Sequence, residues 1–209
     1  MAVVHLVYDL TDLYGILNWQ YSAPFSFLMD WGGVAFFLIS GICATLGSRS
    51  LRRGLIVFGC GLIVSAVTYL ADPKLVVAFG VLHCLGVCMM LWPLLKRLPT
   101  AAIGIPAFIL MILGFWFQTF WVSAPCLFPL GLMAPGFYSS DYFPLCPYLG
   151  FFLLGAVLGK TLYKSKRTLL PNVNVQNPVI RFLSLCGRHS LIIYLLHQPA
   201  LMLLIELFL

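Results

Sequence analysis

The chain has 209 residues, of which 62% are apolar and only 9% charged, with a mean hydropathy of +1.02. Soluble domains carry roughly a quarter charged residues, so this composition excludes a water-facing globule and leaves lipid as the solvent. The 12 basic and 6 acidic residues give a net charge of +6. Its distribution along the chain points to membrane topology rather than to a nucleic-acid partner.

A helix needs about 20 apolar residues to cross the hydrocarbon layer. In chain order, the apolar runs predict seven such helices at about 2–18, 31–48, 54–71, 75–95, 101–121, 146–163 and 189–209, forming one all-α membrane domain over residues 1–209. The first run is short and turns polar by Asp9, so it is expected to be a truncated helix that begins upstream of Met1. It carries neither the basic flank nor the small-residue cleavage site of a secretory signal.

Basic residues gather in cytoplasmic connections. Arg49, Arg52 and Arg53 follow the second predicted span, and Lys96 and Arg97 follow the fourth. Lys160, Lys164, Lys166, Arg167, Arg181 and Arg188 follow the sixth, which leaves only Lys74 on the other side. This asymmetry predicts a cytoplasmic N-terminus and an outer C-terminus. The acidic residues Asp9, Asp12, Asp30, Asp72, Asp141 and Glu206 fall toward the outer face. Small residues mark close helix approaches at Gly41 and Gly47, at Gly59 and Gly61, and at the GxxxG pair Gly155 and Gly159. Such faces also allow self-association into a homo-oligomer.

Ionisable groups inside a bilayer are costly and serve as functional candidates by default. His5 and Asp9 lie four residues apart and share a helix face, with Asp12 on the same stripe. A carboxylate one turn from an imidazole can accept its ring N–H and leave the second nitrogen as a general base. His83 is expected near the middle of the fourth span and His197 within the last. Each is either a satisfied structural histidine or a catalytic group. Pro199 withdraws a backbone donor and frees the carbonyl of Leu195 as an acceptor. Three imidazoles could hold zinc, but no pair has helix-local ligand spacing and no metal is expected.

The connection from Trp121 to Tyr148 is the long one. It contains Pro125, Pro129, Pro135, Pro144 and Pro147 among aromatic residues, and Asp141 as its charge. It either lines an acceptor pocket or lies in the membrane interface as an aromatic belt. Cys126 and Cys146 flank it and could close a disulfide on an oxidising face.

Several segments, in order, carry a resemblance. They are Val4-His5-Leu6-Val7-Tyr8-Asp9-Leu10, Phe36-Phe37-Leu38-Ile39-Ser40-Gly41, Phe79-Gly80-Val81-Leu82-His83, Asp141-Tyr142-Phe143-Pro144-Leu145 and Gly187-Arg188-His189-Ser190 running into Tyr194-Leu195-Leu196-His197-Gln198-Pro199. Together they resemble the bacterial heparan-α-glucosaminide N-acetyltransferase-like catalytic domains, which are transmembrane acyltransferases. The resemblance implies a multi-pass enzyme of a bacterial plasma (inner) membrane. Such an enzyme takes an acyl group, typically acetyl, from cytosolic acyl-CoA and delivers it to a hydroxyl- or amine-bearing acceptor, often a sugar, at the outer face. His5 matches the histidine of a first-span motif in related acyltransferases, whose arginine would fall before Met1.

On this reading His5 is the general base or acyl-carrying residue, oriented by Asp9, while His83 and His197 polarise the thioester carbonyl or stabilise the oxyanion. Arg52, Arg53, Lys96, Arg97 and Arg188 are the candidates for the CoA phosphates, which suit guanidinium geometry. The rival reading is a proton-coupled transporter that uses the same His and Asp groups as a relay. A scaffold subunit binding partners through its GxxxG faces is a third, and leaves the intramembrane histidines without a role.

Overall fold

The computed structural model describes residues 2–16, 22–164 and 176–208. Eight α-helices follow one another among them: α1 (Ala2–Tyr8), α2 (Ala23–Leu46), α3 (Ser50–Ala71), α4 (Val81–Leu95), α5 (Thr100–Phe117), α6 (Leu145–Leu162), α7 (Pro178–Arg188) and α8 (Ser190–Phe208). No β-strand occurs among the described residues, so the all-α membrane class holds.

The count of seven spans is not reached among the described residues. There, four helices are long and apolar enough to cross a membrane, namely Ser50–Ala71, Thr100–Phe117, Leu145–Leu162 and Ser190–Leu207. The pair Ala23–Met29 and Trp31–Leu46, bent by 45°, makes a fifth. The predicted first span breaks down because α1 has 7 residues and runs into a π-helical turn, Asp9–Leu13. The predicted fourth span begins late: Pro73–Leu75 form a 3₁₀ turn capped by the Asp72 carboxylate, and α4, with 15 residues, starts only at Val81. α7 was not predicted as an element.

The chain divides into two compact units, Met1–Gly32 with Thr168–Leu209, and Gly33–Arg167. In the second unit, α3 packs antiparallel on α4 and α5 on α6. Backbones touch where glycine leaves no Cβ: one built on Gly54 would lie 2.8 Å from the Gly86 carbonyl oxygen, and one on Gly150 would lie 2.6 Å from that of Ala107. Gly41 faces the Phe152 carbonyl and Gly155 faces that of Leu38, so α2 and α6 meet at the small residues the sequence marked. Gly59 meets nothing and has no such role.

The core of this unit is Phe37, Cys84, Cys88, Trp92, Ile103, Ala107, Phe152 and Ala156. The outward faces of α3 and α5 instead expose Leu55, Ile63, Leu70, Phe108, Ile112 and Phe115. In water such faces would drive aggregation; against lipid they cost nothing.

The basic ends of the second unit converge. The Lys160 ammonium donates to the carbonyls of Lys96, at 3.0 Å, and Leu98, at 2.5 Å, closing the C-terminus of α6 onto the α4–α5 turn. At the opposite end, the aromatic loop is folded. Phe143 donates its N–H to the Phe79 carbonyl at 2.9 Å, and Ser140 donates to that of Val76 at 3.0 Å. Phe128 stacks on Phe137, and the Tyr142 hydroxyl donates to the Phe128 carbonyl at 2.6 Å. Burial pushes that phenol up to about 12, so it remains a donor at physiological pH. Cys126, exposed, and Cys146, buried, are free thiols, so no disulfide closes this loop.

Candidate functional site

In the first unit the polar residues of α1 and its π turn meet α8. A polar group buried between these two helices must find a partner there or remain unsatisfied. Asp9 is 1% exposed. The Gln198 side-chain amide donates from Nε2 to both carboxylate oxygens of Asp9, each at 3.0 Å. The sequence reading gave Asp9 to His5 as its orienting carboxylate, but the bonds seen here run to Gln198. A residue adjacent to a candidate histidine, and passed over, supplies them.

His197 lies beside His5, with ring centroids 5.0 Å apart and an edge-on angle of 61°. Its Nδ1 is 2.5 Å from the Tyr194 carbonyl. A carbonyl only accepts, so Nδ1 carries the proton and Nε2 keeps its lone pair. Nε2 is buried with no hydrogen-bond partner among the described residues, and so are Gln198 Oε1 and Thr11 Oγ1. Leaving a buried polar atom unsatisfied costs about 1–3 kcal/mol, a cost that a bond to a further polar group would relieve at each of the three.

His83 belongs to the second unit and its surroundings differ. It is the third residue of α4, not a mid-span residue, because the chain is extended up to Gly80. Its Nδ1 accepts from the Gly80 N–H at 3.2 Å, a return bond like that of a capping box. Ser65 Oγ donates to the Val77 carbonyl and lies 3.3 Å from His83 Nε2, so Nε2–H is the donor in that contact. Both ring nitrogens are thus engaged, with Phe58 and Phe79 against the ring and 3% of the residue exposed. Here the structural alternative describes His83.

Asp141 completes this cap. Its Oδ2 accepts from the Val81 N–H at 3.0 Å, at the first turn of α4, and Gly80 is required beneath it because a Cβ there would collide with the carboxylate. Burial raises the Asp141 carboxyl to about 6, while the Val81 bond pulls the other way. The sequence reading quoted this residue in a motif without assigning it a place in the site.

The basic candidates are placed as follows within their own units. Arg53 lines a cavity of about 140 Å³ with Ser40, Cys43, Ser50, Leu85 and Met89, between the ends of α2, α3 and α4. Arg52 and Arg97 are exposed, and Lys96, also exposed, closes α4 as its C-cap. Arg188, exposed, ends α7. Lys166 and Arg167 lie outside the described residues. Among the described residues no three His, Cys, Asp or Glu side chains are arranged to hold a metal ion.

The family model described as heparan-alpha-glucosaminide N-acetyltransferase, catalytic, matches residues 1–199. No curated protein and no solved structure matches the chain.

Proposed function

The chain belongs to the heparan-alpha-glucosaminide N-acetyltransferase catalytic family and is a membrane transferase of acetyltransferase type; from that premise we propose that it moves an acetyl group from cytosolic acyl-CoA to a hydroxyl or amine of a sugar-like acceptor at the outer face. The observation that carries the reading is His197. Its Nδ1–H is tied to the Tyr194 carbonyl, its Nε2 is buried without a partner among the described residues, and its ring lies beside that of His5.

A neutral imidazole held in one tautomer is a general base in its reactive form. The acceptor O–H or N–H gives its proton to Nε2, its oxygen or nitrogen attacks the thioester carbon, the C–S bond breaks, and CoA leaves as a thiolate that takes the proton back from the imidazolium. His5, with its ring against His197, is the second proton-handling or acyl-carrying group. Asp9, held by Gln198, supplies the negative charge that offsets an imidazolium. Arg52, Arg53, Lys96, Arg97 and Arg188 are the candidates for the CoA phosphates, with the basic connections on the cytosolic side of a bacterial plasma membrane.

Protein reconstituted in vesicles with radiolabelled acetyl-CoA and an aminosugar tests this. CoA release with a labelled sugar is expected, falling at least a hundredfold in His197→Ala and His5→Ala, the scale of general-base loss. Unchanged turnover in His197→Ala would sink the assignment. If the wild-type protein releases no CoA and acidifies the vesicles instead, the proton-coupled carrier is the right reading.

A further inference from the structure

α7 is unlike every other helix of the chain. Its sequence, Pro-Val-Ile-Arg-Phe-Leu-Ser-Leu-Cys-Gly-Arg, segregates strongly by side. At 100° per residue, Val179, Phe182, Leu183, Leu185 and Cys186 fall on one face, while Arg181, Ser184 and Arg188 fall within one narrow sector opposite. At 1.5 Å per residue its 11 residues reach only about 16 Å, half of what a bilayer needs. An Asn177 side chain caps its start, accepting from the Val179 N–H at 2.9 Å, and His189 separates its end from the spanning α8. On the apolar face Val179, Phe182, Leu183 and Leu185 are each more than half exposed.

We propose that α7 is an interfacial helix, its apolar face sunk among acyl chains and its arginines against anionic lipid headgroups of the leaflet on the side of the basic connections. Two features select lipid over protein as the occupant. α7 leads straight into a spanning helix, which fixes it at a membrane boundary. Its polar face carries two arginines and no acid, and it follows Lys160, Lys164, Lys166 and Arg167 in sequence. A short helix with this segregation, its aromatic and aliphatic residues on one side and its cations on the other, has the form of a membrane-surface anchor. It would hold the start of α8, about two turns before His197, at a fixed height.

The full-length protein, carrying a photoreactive benzophenone amino acid at position 179, 182 or 184, is reconstituted in vesicles of phosphatidylcholine and phosphatidylglycerol and irradiated. Lipid adducts at 179 and 182 but not at 184 are expected. Adducts to a second copy or to another part of the chain, or an absence of adducts at 179 and 182, would overturn the proposal. Hydrogen exchange over 178–188 tests the charge separately, with no readout of activity. In nanodiscs containing phosphatidylglycerol, exchange should be roughly thirtyfold slower than in phosphatidylcholine alone, which corresponds to about 1 kcal/mol for each arginine near an anionic surface. That difference should vanish in an Arg181→Gln, Arg188→Gln double variant. A double variant that keeps it, or a wild type that lacks it, refutes the headgroup contact.

Discussion

Replacing Asp141 by Asn should remove a specific pH dependence of stability. The carboxyl is raised from 3.8 to about 6 by burial, against the opposing pull of the Val81 N–H. The fold therefore prefers its protonated form. The stability it contributes is fully present below about pH 4 and is lost as the pH rises through about 6. A shift of about two units corresponds to about 3 kcal/mol. An asparagine keeps an oxygen for the Val81 N–H, now 3.0 Å from the carboxylate, and has no charge to desolvate.

Thermal unfolding of detergent-purified wild type and Asp141→Asn is followed by tryptophan fluorescence between pH 4 and pH 8. The two should melt together at the acid end. At the neutral end the variant should melt higher, by roughly 6–12 °C at 2–4 °C per kcal/mol. Every other titrating group is common to both proteins and cancels in the difference. Parallel curves, or a variant that is less stable at pH 7, would refute the claim that the cap of α4 is a strained anion.

In Gly54→Ala the new Cβ meets the Gly86 carbonyl oxygen at 2.8 Å and the Met90 nitrogen at 2.9 Å, so a loss of about 1–3 kcal/mol is expected, whereas Gly59→Ala, with nothing within 4 Å, should gain about 0.5–1 kcal/mol. Equal melting temperatures for the two variants would count against the α3–α4 contact. Gln198→Leu removes the single amide nitrogen that donates to both oxygens of the buried Asp9 carboxylate; kcat should fall about tenfold to a hundredfold with KM for acyl-CoA unchanged, on the scale of hydrogen bonds to charged groups, and a change confined to KM would show that Gln198 serves binding instead. Arg53→Ala, at the wall of the α2–α3–α4 cavity, should raise KM for acetyl-CoA about tenfold at nearly constant kcat, and an unaltered KM would remove Arg53 from the phosphate-binding set.

Class and small-residue packing were legible in the sequence because both follow from local chemistry. A run such as Leu55 to Leu70 cannot be solvated, and Gly155 and Gly159 admit a neighbouring backbone wherever they fall on a helix. The ends of elements were less legible. Residues 76–80 are as apolar as a span, yet Pro73 and the pairing of Val76 and Phe79 with Ser140 and Phe143, more than 60 positions away, keep them out of the helix. α7 was missed because a search for continuous apolar runs passes over an 11-residue helix whose apolar positions are separated by Arg181 and Ser184. The meeting of His5 with His197 depends on packing between helices at opposite ends of the chain, and no spacing in the sequence encodes it.

His83 and His197 show why residue type and depth alone could not assign roles. Both are imidazoles in apolar helices, and each holds a backbone group through Nδ1. The difference lies in which partner each one finds. The Gly80 N–H can only donate, so it fixes His83 Nδ1 as the acceptor and sends the ring proton to Nε2, where Ser65 takes it. The Tyr194 carbonyl can only accept, so it draws the proton to His197 Nδ1 and leaves at Nε2 a lone pair that no described residue engages. A helix start presents free N–H groups and selects the first arrangement. The carbonyl three residues back in a helix interior selects the second. Position within the helix, more than the histidine itself, therefore decides which ring nitrogen accepts from the backbone and which donates to it.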